Sequence, residues 1–171
     1  MAKRFISFGS IDQFRTIVKN VKWQSQYTGE KDAEGNPIMN RNAKAPIVKA
    51  IGTEKIHGTN AAWVYTKDEQ WCQSRKNIIT PEKDNAGCAF MMEQRKNEFN
   101  LICEKLIEYY NIDVSKKGLA LYMEFCGGNI QKNSCVSGLD KMFIIFKHAK
   151  VFELDNESEE SNTWIDTKVI F

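Results

Sequence analysis

Apolar residues along this chain gather in short runs and in helical stripes, with polar, turn-forming stretches between them. Phe5–Phe8 reads as a short strand. Ile11, Phe14, Ile17, Val18 and Val21 recur at spacings of three and four, which predicts an amphipathic helix over residues 11–20. Ser10-Ile11-Asp12-Gln13 ahead of it reads as a capping box, with Ser10 as N-cap and Gln13 reaching back. Residues 28–46 hold Gly29, Gly35-Asn36-Pro37 and Asn40-Arg41-Asn42 and are predicted to be a loop. Ile47–Ile51 and Ala61–Tyr65, rich in β-branched and aromatic residues, read as two strands joined by a tight polar connection. Glu69–Ser74 is a third strand. Pro81 and Asp84-Asn85 break the chain before a long helix. Its stripe is Phe99, Ile102, Cys103, Leu106, Ile107 and Tyr110, and Glu93, Arg95, Lys96, Glu104, Lys105 and Glu108 form the solvated face. Leu119–Cys126 is an apolar strand ending at Gly127-Gly128. Met142–Phe146 and Ala149–Phe152 make one kinked strand or two. After the acidic loop 153–162, Trp164-Ile165 and Val169–Phe171 resume strand character. Several short strands, two clear helices and no βαβ alternation point to an α+β class.

The 171 residues suit one domain with a real core, and 42% hydrophobic with 27% charged residues is ordinary for a globular protein. No apolar run reaches membrane-span length, and no apolar leader follows the first residues. Five cysteines, odd in number and without a Cys-x-x-Cys pair, suggest neither a zinc site nor a disulfide framework. A reducing, cytoplasmic setting is the expectation. A net charge of +2 permits nucleic-acid binding only where the cations cluster. Arg41, Lys44 and Lys49 give the 28–46 region a basic end, either a solvated surface or a polyanion contact. The last apolar run is unlike the polar, frayed end of most domains. It suggests that residues 1–171 are the front part of a longer protein.

Candidate chemistry centres on Lys55-Ile56-His57-Gly58-Thr59-Asn60. A lysine on a tight connection between strands can face a cleft while the scaffold stays rigid. Once burial or neighbouring cations lower its pKa, it becomes a nucleophile. In most Lys-x-x-Gly strings the lysine is simply solvated. Gly58 allows close backbone approach, and Thr59 and Asn60 add short hydrogen-bonding groups. Glu124 is the other anomaly, because a carboxylate in an apolar strand is costly without a partner. It either has a task or sits on an edge strand facing water.

The string Glu54-Lys55-Ile56-His57-Gly58-Thr59-Asn60 resembles the nucleotidyl-acceptor motif of the covalent nucleotidyltransferases, which include RNA ligases, DNA ligases and mRNA capping enzymes. Histidine at position 57, followed by Gly-Thr-Asn, is similar to the RNA ligase 2 branch of phages and RNA-editing ligases. DNA ligases and capping enzymes usually have aspartate there. Arg75, twenty residues after Lys55, resembles the arginine of the second motif. Glu124 in Leu-Tyr-Met-Glu-Phe-Cys-Gly resembles the third-motif glutamate, and Phe146 in Phe-Ile-Ile-Phe the aromatic that follows. The resemblance covers residues 47–152. The family's later Glu-Gly strand and two-lysine strand find no match after residue 152, since Lys168 alone does not make one, so the expected domain is an adenylyltransferase domain cut before its last two motifs.

The resemblance implies an α+β nucleotidyltransferase (ATP-grasp-like) domain of twisted, mostly antiparallel sheets with flanking helices. It implies an ATP-dependent RNA ligase. Lys55 would take AMP from ATP, pass it to an RNA 5′-phosphate, and the strand would be sealed to a 3′-hydroxyl, with Mg2+ neutralising the phosphates. The nucleotide-binding set would be Glu54, Lys55, Ile56, His57, Asn60, Arg75, Glu124 and Phe146, with no dedicated metal ligand. Glu124 would accept from the ribose, Phe146 would stack on adenine and Arg75 would hold a phosphate. His57 would touch phosphate or brace the loop, and Lys76, Arg41 and Lys44 are possible RNA-backbone contacts. The partners would be RNA ends and a C-terminal domain outside these residues, with no membrane. A phage-encoded protein would work in the host cytoplasm. Three alternatives remain: a DNA ligase or capping-type enzyme, a non-catalytic nucleotide- or RNA-binding module, and a structural domain whose motif matches arise by chance.

Overall fold

The computed structural model describes residues 3–52, 55–156 and 158–170. The chain forms two compact units, one of residues 1–8 with 55–171 and one of residues 9–54.

The larger unit is built on a seven-stranded antiparallel sheet. Its strands are β3 (Gly58–Tyr65), β4 (Gln70–Ser74), β5 (Ile78–Ile79), β6 (Lys117–Cys126), β7 (Met142–Ile145), β8 (His148–Glu153) and β9 (Thr163–Asp166), the smaller unit holding β1 (Tyr27–Lys31) and β2 (Pro37–Met39). The order is β5-β4-β3-β6-β8-β9, with β7 also on β6. β6 is the axis. One edge pairs with β3 along its length, and the other is shared by β8 at Lys117–Ala120 and β7 at Met123–Cys126.

Side chains on β6 alternate between two cores, as the pleat requires. Leu119, Leu121, Met123 and Phe125 enter the larger core with Ala61, Trp63 and Cys72. That face is covered by α2 (Cys88–Gln94) and α3 (Lys96–Tyr110), through Ala89, Met92, Phe99, Cys103 and Leu106. Trp63 Nε1 donates to Asn100 Oδ1 at 2.9 Å, so the buried indole is satisfied as well as packed. Ala120 and Tyr122 face the other way, into a smaller core with Ile6, Ala62, Val64, Trp71 and Phe152.

Residues 5–8 close that second face, though not as the strand their composition suggested. Ile6 exchanges backbone bonds with the buried Gln73 amide, Tyr122 Oη donates to the carbonyls of Ile6 and Ser7 at 3.0 and 2.8 Å, and Lys150 Nζ donates to the Ser7 carbonyl. Side chains take the place of a partner strand, so the backbone is extended but unladdered.

The smaller unit holds α1 (Phe14–Gln26) and the β1–β2 hairpin. The helix begins at Phe14, with Gln13 as N-cap and no side-chain cap, so Ser10 does not start it. Residues 28–46 are not all loop. The hairpin is turned by Asp32, whose carboxylate accepts from the Glu34 and Asn36 amides, and by Gly35 at φ 85°. The turn signals were correct, but its arms are too short and polar to show alternation. Ile47–Ile51 is not a strand either. Ile47 and Ile51 are each 95% exposed, because β propensity counts for little without a neighbour to pack against. Near the end of the chain, Thr167–Ile170 is a 3-10 turn rather than a strand. Its buried Thr167 donates to the Phe146 and Lys147 carbonyls. Among the described residues no helix is long and apolar enough to cross a membrane.

Candidate active site

Lys55, Ile56 and His57 lead directly into β3, with Lys55 and His57 exposed and Ile56 half-buried. Among the described residues no strand lies between β2 and β3, so the strand expected at Ile47–Ile51 does not lead into Lys55. Lys55 stands at the mouth of the sheet where β3 meets the end of β6. Gly58 lies opposite Cys126, and Asn60 opposite Glu124. A Cβ on Gly58 would lie 2.3 Å from the Phe125 carbonyl oxygen and 2.8 Å from Cys126 Cβ. Glycine is therefore required by the close approach of two strands.

Glu124 is half-buried in the central strand, between Asn60 on β3 and Ile144 on β7, and not on an edge facing water. Its Oε1 accepts the Gly58 N–H at 2.9 Å. Burial pushes its pKa above the usual carboxylate value. The Gly58 amide and the nearby Lys55, His57 and Arg75 side chains oppose that shift. Residues just before β3 and one after β4 thus act on a single carboxylate in β6. Asn60, also half-buried, shares the sheet face of Glu124 by the period of two.

Arg75 and Lys76 are exposed in the β4–β5 turn, which is closed by a Ser74 N–H donating to the Asn77 carbonyl at 2.8 Å. They line an open groove of about 390 Å³ with Thr59, Asn77, Lys83 and Asn85. Asn85 Nδ2 donates to Thr59 Oγ1 at 3.2 Å, tying the groove wall to β3. Asp84 accepts from the Asn85, Ala89 and Phe90 amides at 2.6, 2.7 and 3.0 Å. Asp84 also lines the groove while holding the start of α2, and the three cations Arg75, Lys76 and Lys83 outnumber it there.

Phe146 follows β7, its N–H donating to the Tyr122 carbonyl at 2.9 Å. Its half-buried ring packs against the smaller core, with Phe8 at 5.3 Å between centroids. By alternation along β7 it belongs to the same sheet face as Glu124.

Lys55, Ile56, His57, Asn60, Arg75, Glu124 and Phe146 thus all belong to the larger unit. Glu54 lies outside the described residues. Arg41 and Lys44 are exposed in the smaller unit. Lys83 and Asn85 in the groove, and Gln131, whose Nε2 donates to the Gly58 carbonyl at 3.4 Å, were not assigned to the site from the sequence, whereas Thr59 was named there as a short hydrogen-bonding group. Asn85 reads there as a helix break, and nothing in its spacing tells of a partner on β3. Among the described residues no group of three or more His, Cys, Asp or Glu side chains is placed to hold a metal ion.

A family model described as RNA ligase matches residues 48–170, a span that covers β3 through β9. The chain belongs to the RNA ligase family. A search of curated proteins found no match. For a member of the RNA ligase family, a ligase activity and an RNA substrate follow at the family level. The antiparallel sheet with three helices is the α+β architecture expected from the element pattern.

Proposed function

We propose that this RNA ligase family member is an ATP-dependent ligase of the RNA ligase 2 type, working through a lysyl-AMP intermediate on Lys55. One observation carries the reading. Lys55, His57 and Arg75, all far in sequence from Glu124, act electrostatically on its carboxylate, which Gly58 also contacts through its amide. A lysine and an arginine that act on one carboxylate, with an aromatic ring on that carboxylate's sheet face, supply donors and acceptors suited to a nucleotide.

In the first step the Lys55 amine, as free base, forms a bond to the α-phosphorus of ATP, and the bond to pyrophosphate breaks. The amine proton leaves to solvent or to the departing phosphate. AMP then moves to the RNA 5′-phosphate, releasing Lys55. A 3′-hydroxyl attacks that phosphate, forms the phosphodiester and expels AMP. Each covalent stage divides one hard displacement into easier ones. Glu124, ionised, is an acceptor suited to ribose hydroxyls. Phe146 offers a flat face to adenine. Arg75 suits a phosphate through its planar fork. Asn60 shares the Glu124 face and can orient the nucleotide, and His57 and Ile56 flank the nucleophile. Glu54 is kept in the nucleotide set on resemblance alone.

Magnesium would arrive with the triphosphate, which suits an ion that keeps several waters and few protein ligands. It would neutralise phosphate charge as the nucleophile approaches. On this reading residues 1–171 belong to an adenylyltransferase domain. RNA with a 5′-phosphate and a 3′-hydroxyl is the substrate.

Intact-protein mass spectrometry after incubation with ATP and magnesium tests the reading. One added AMP on the wild type, absent from Lys55→Ala, is the expected result. No adduct on the wild type or on a C-terminally longer chain would remove the ligase mechanism. A DNA ligase or capping-type reading would be favoured instead by an adduct from GTP or by sealing of DNA alone.

A further inference from the structure

The smaller unit has a surface that the catalytic reading does not use. On α1, Arg15, Lys19, Lys22 and Gln26 fall at i, i+4, i+7 and i+11, which puts them on one line along the helix. At 1.5 Å per residue that line is roughly 16 Å long. The apolar residues Phe14, Ile17, Val18 and Val21 form a separate stripe about a third of a turn away, so the basic line is a face of its own.

The line continues beyond the helix. Gln26 Nε2 donates to the Arg41 carbonyl at 3.4 Å, and the Asn40 N–H donates to the Gln26 carbonyl at 2.7 Å. Arg41 is therefore placed at the C-terminal end of α1. Beside that end, Trp23 and Tyr27 stack at 5.1 Å between centroids and 24° between planes, with Trp23 46% exposed.

Charge in this unit is segregated. Residues 13–29 and 35–52 contain Arg15, Lys19, Lys22, Arg41, Lys44 and Lys49 and no acid. Asp12 lies just before α1, and Glu30, Asp32 and Glu34 lie toward the turn of the β1–β2 hairpin. Among the described residues none of those six cations takes part in an ion pair. Lysine and arginine rows without counter-charges, next to an exposed aromatic stack, are what a single strand needs: cations for the phosphates and a platform for bases.

We propose that the basic line of α1 with Arg41, flanked by the Trp23–Tyr27 stack, is an RNA-holding site separate from the Lys55 site. RNA is chosen because the family supplies it as substrate and the charge is complementary. The proposal rests on the family assignment and not on the lysyl-AMP chemistry.

The test is fluorescence anisotropy of the full chain with a dye-labelled single-stranded RNA of about 20 nucleotides, without ATP, across a salt series. Lys19→Gln/Lys22→Gln/Arg41→Gln is expected to weaken binding tenfold or more at low salt. It should also flatten the plot of log affinity against log salt by about 2, since each single-strand phosphate contact carries a slope of about 0.7. Trp23→Ala is expected to weaken binding about fivefold or more and leave the slope alone, as loss of one stacked base predicts. Lys19→Arg/Lys22→Arg should bind as wild type, and circular dichroism melts should show the variants folded. Wild-type affinity in both the glutamine triple variant and Trp23→Ala would overturn the proposal. So would wild-type protein that binds vesicles containing phosphatidylserine and not the RNA. Because ATP is absent, a failure of AMP transfer to Lys55 leaves this measurement intact.

Discussion

The two units of this chain are made by different means. Among the described residues, 9–52 include no buried side chain, whereas the larger unit buries Trp63, Tyr122, Phe125, Phe152 and their neighbours almost completely. In the larger unit, burial of apolar area drives the structure and hydrogen bonds tidy it. The smaller unit is held by local turns, a helix and a two-stranded hairpin, a construction of marginal stability in water by itself. Substitutions in the first should therefore register as stability, and those in the second as surface chemistry.

The largest contrast is catalytic. Lys55→Ala should lose AMP adduct formation completely while melting like wild type, because Lys55 is exposed and buries little. An adduct retained in that variant would move the nucleophile elsewhere. Next come core substitutions in the larger unit. Leu121→Ala removes a fully buried side chain on the central strand and should cost about 2–5 kcal/mol in denaturant unfolding. Gly58→Ala should cost about 2 kcal/mol or more and also impair AMP transfer, since the added methyl meets the Phe125 carbonyl. Unchanged stability there would mean that β3 and β6 can part without loss.

Val18→Ala in the smaller unit is the matched control. Val18 is 50% exposed, and the change should fall within about 0.5 kcal/mol. A cost comparable to Leu121→Ala would break the comparison between the units.

The smallest expected effect is a pH dependence. The Glu124 pKa is raised in the folded protein from an ordinary value of 4.5, so the folded state holds its proton more tightly than the unfolded one. That contribution is fully present below pH 4.5 and is lost as pH rises through the higher folded value. Glu124→Gln should remove this slope from melting temperatures measured across that window. The same slope in both proteins would assign it to another group.

Much of the larger unit was legible in sequence. The α3 stripe and the runs at 61–65, 70–74 and 119–126 are long or apolar enough to carry their own period, and each became the element expected. Ile47–Ile51 was misread because its composition suits a strand while its surroundings supply no partner. Phe5–Phe8 was misread in the opposite sense: it is extended, but its backbone bonds go to Gln73, Tyr122 and Lys150, residues that no local rule connects to it. At the site, the Lys55 string was readable because its residues are adjacent. The Gly58–Glu124 bond was not, since it depends on the register of β3 against β6, and the same holds for Thr59 with Asn85.

The segment at residues 5–8 has a consequence for the order in which the protein is made. Its fasteners lie 67 residues ahead at Gln73, 115 and 116 at Tyr122, and 143 at Lys150. A ribosome emits this segment first, yet its last anchor emerges after most of the chain. At typical synthesis speeds of about 5–20 residues per second, the start of the chain waits roughly 7–30 s for Lys150. Helix α3 and the β3–β4 pair use near neighbours and can form during that wait. The second face of the sheet closes late, so a nascent chain released early would leave Tyr122 uncovered and open to chaperones.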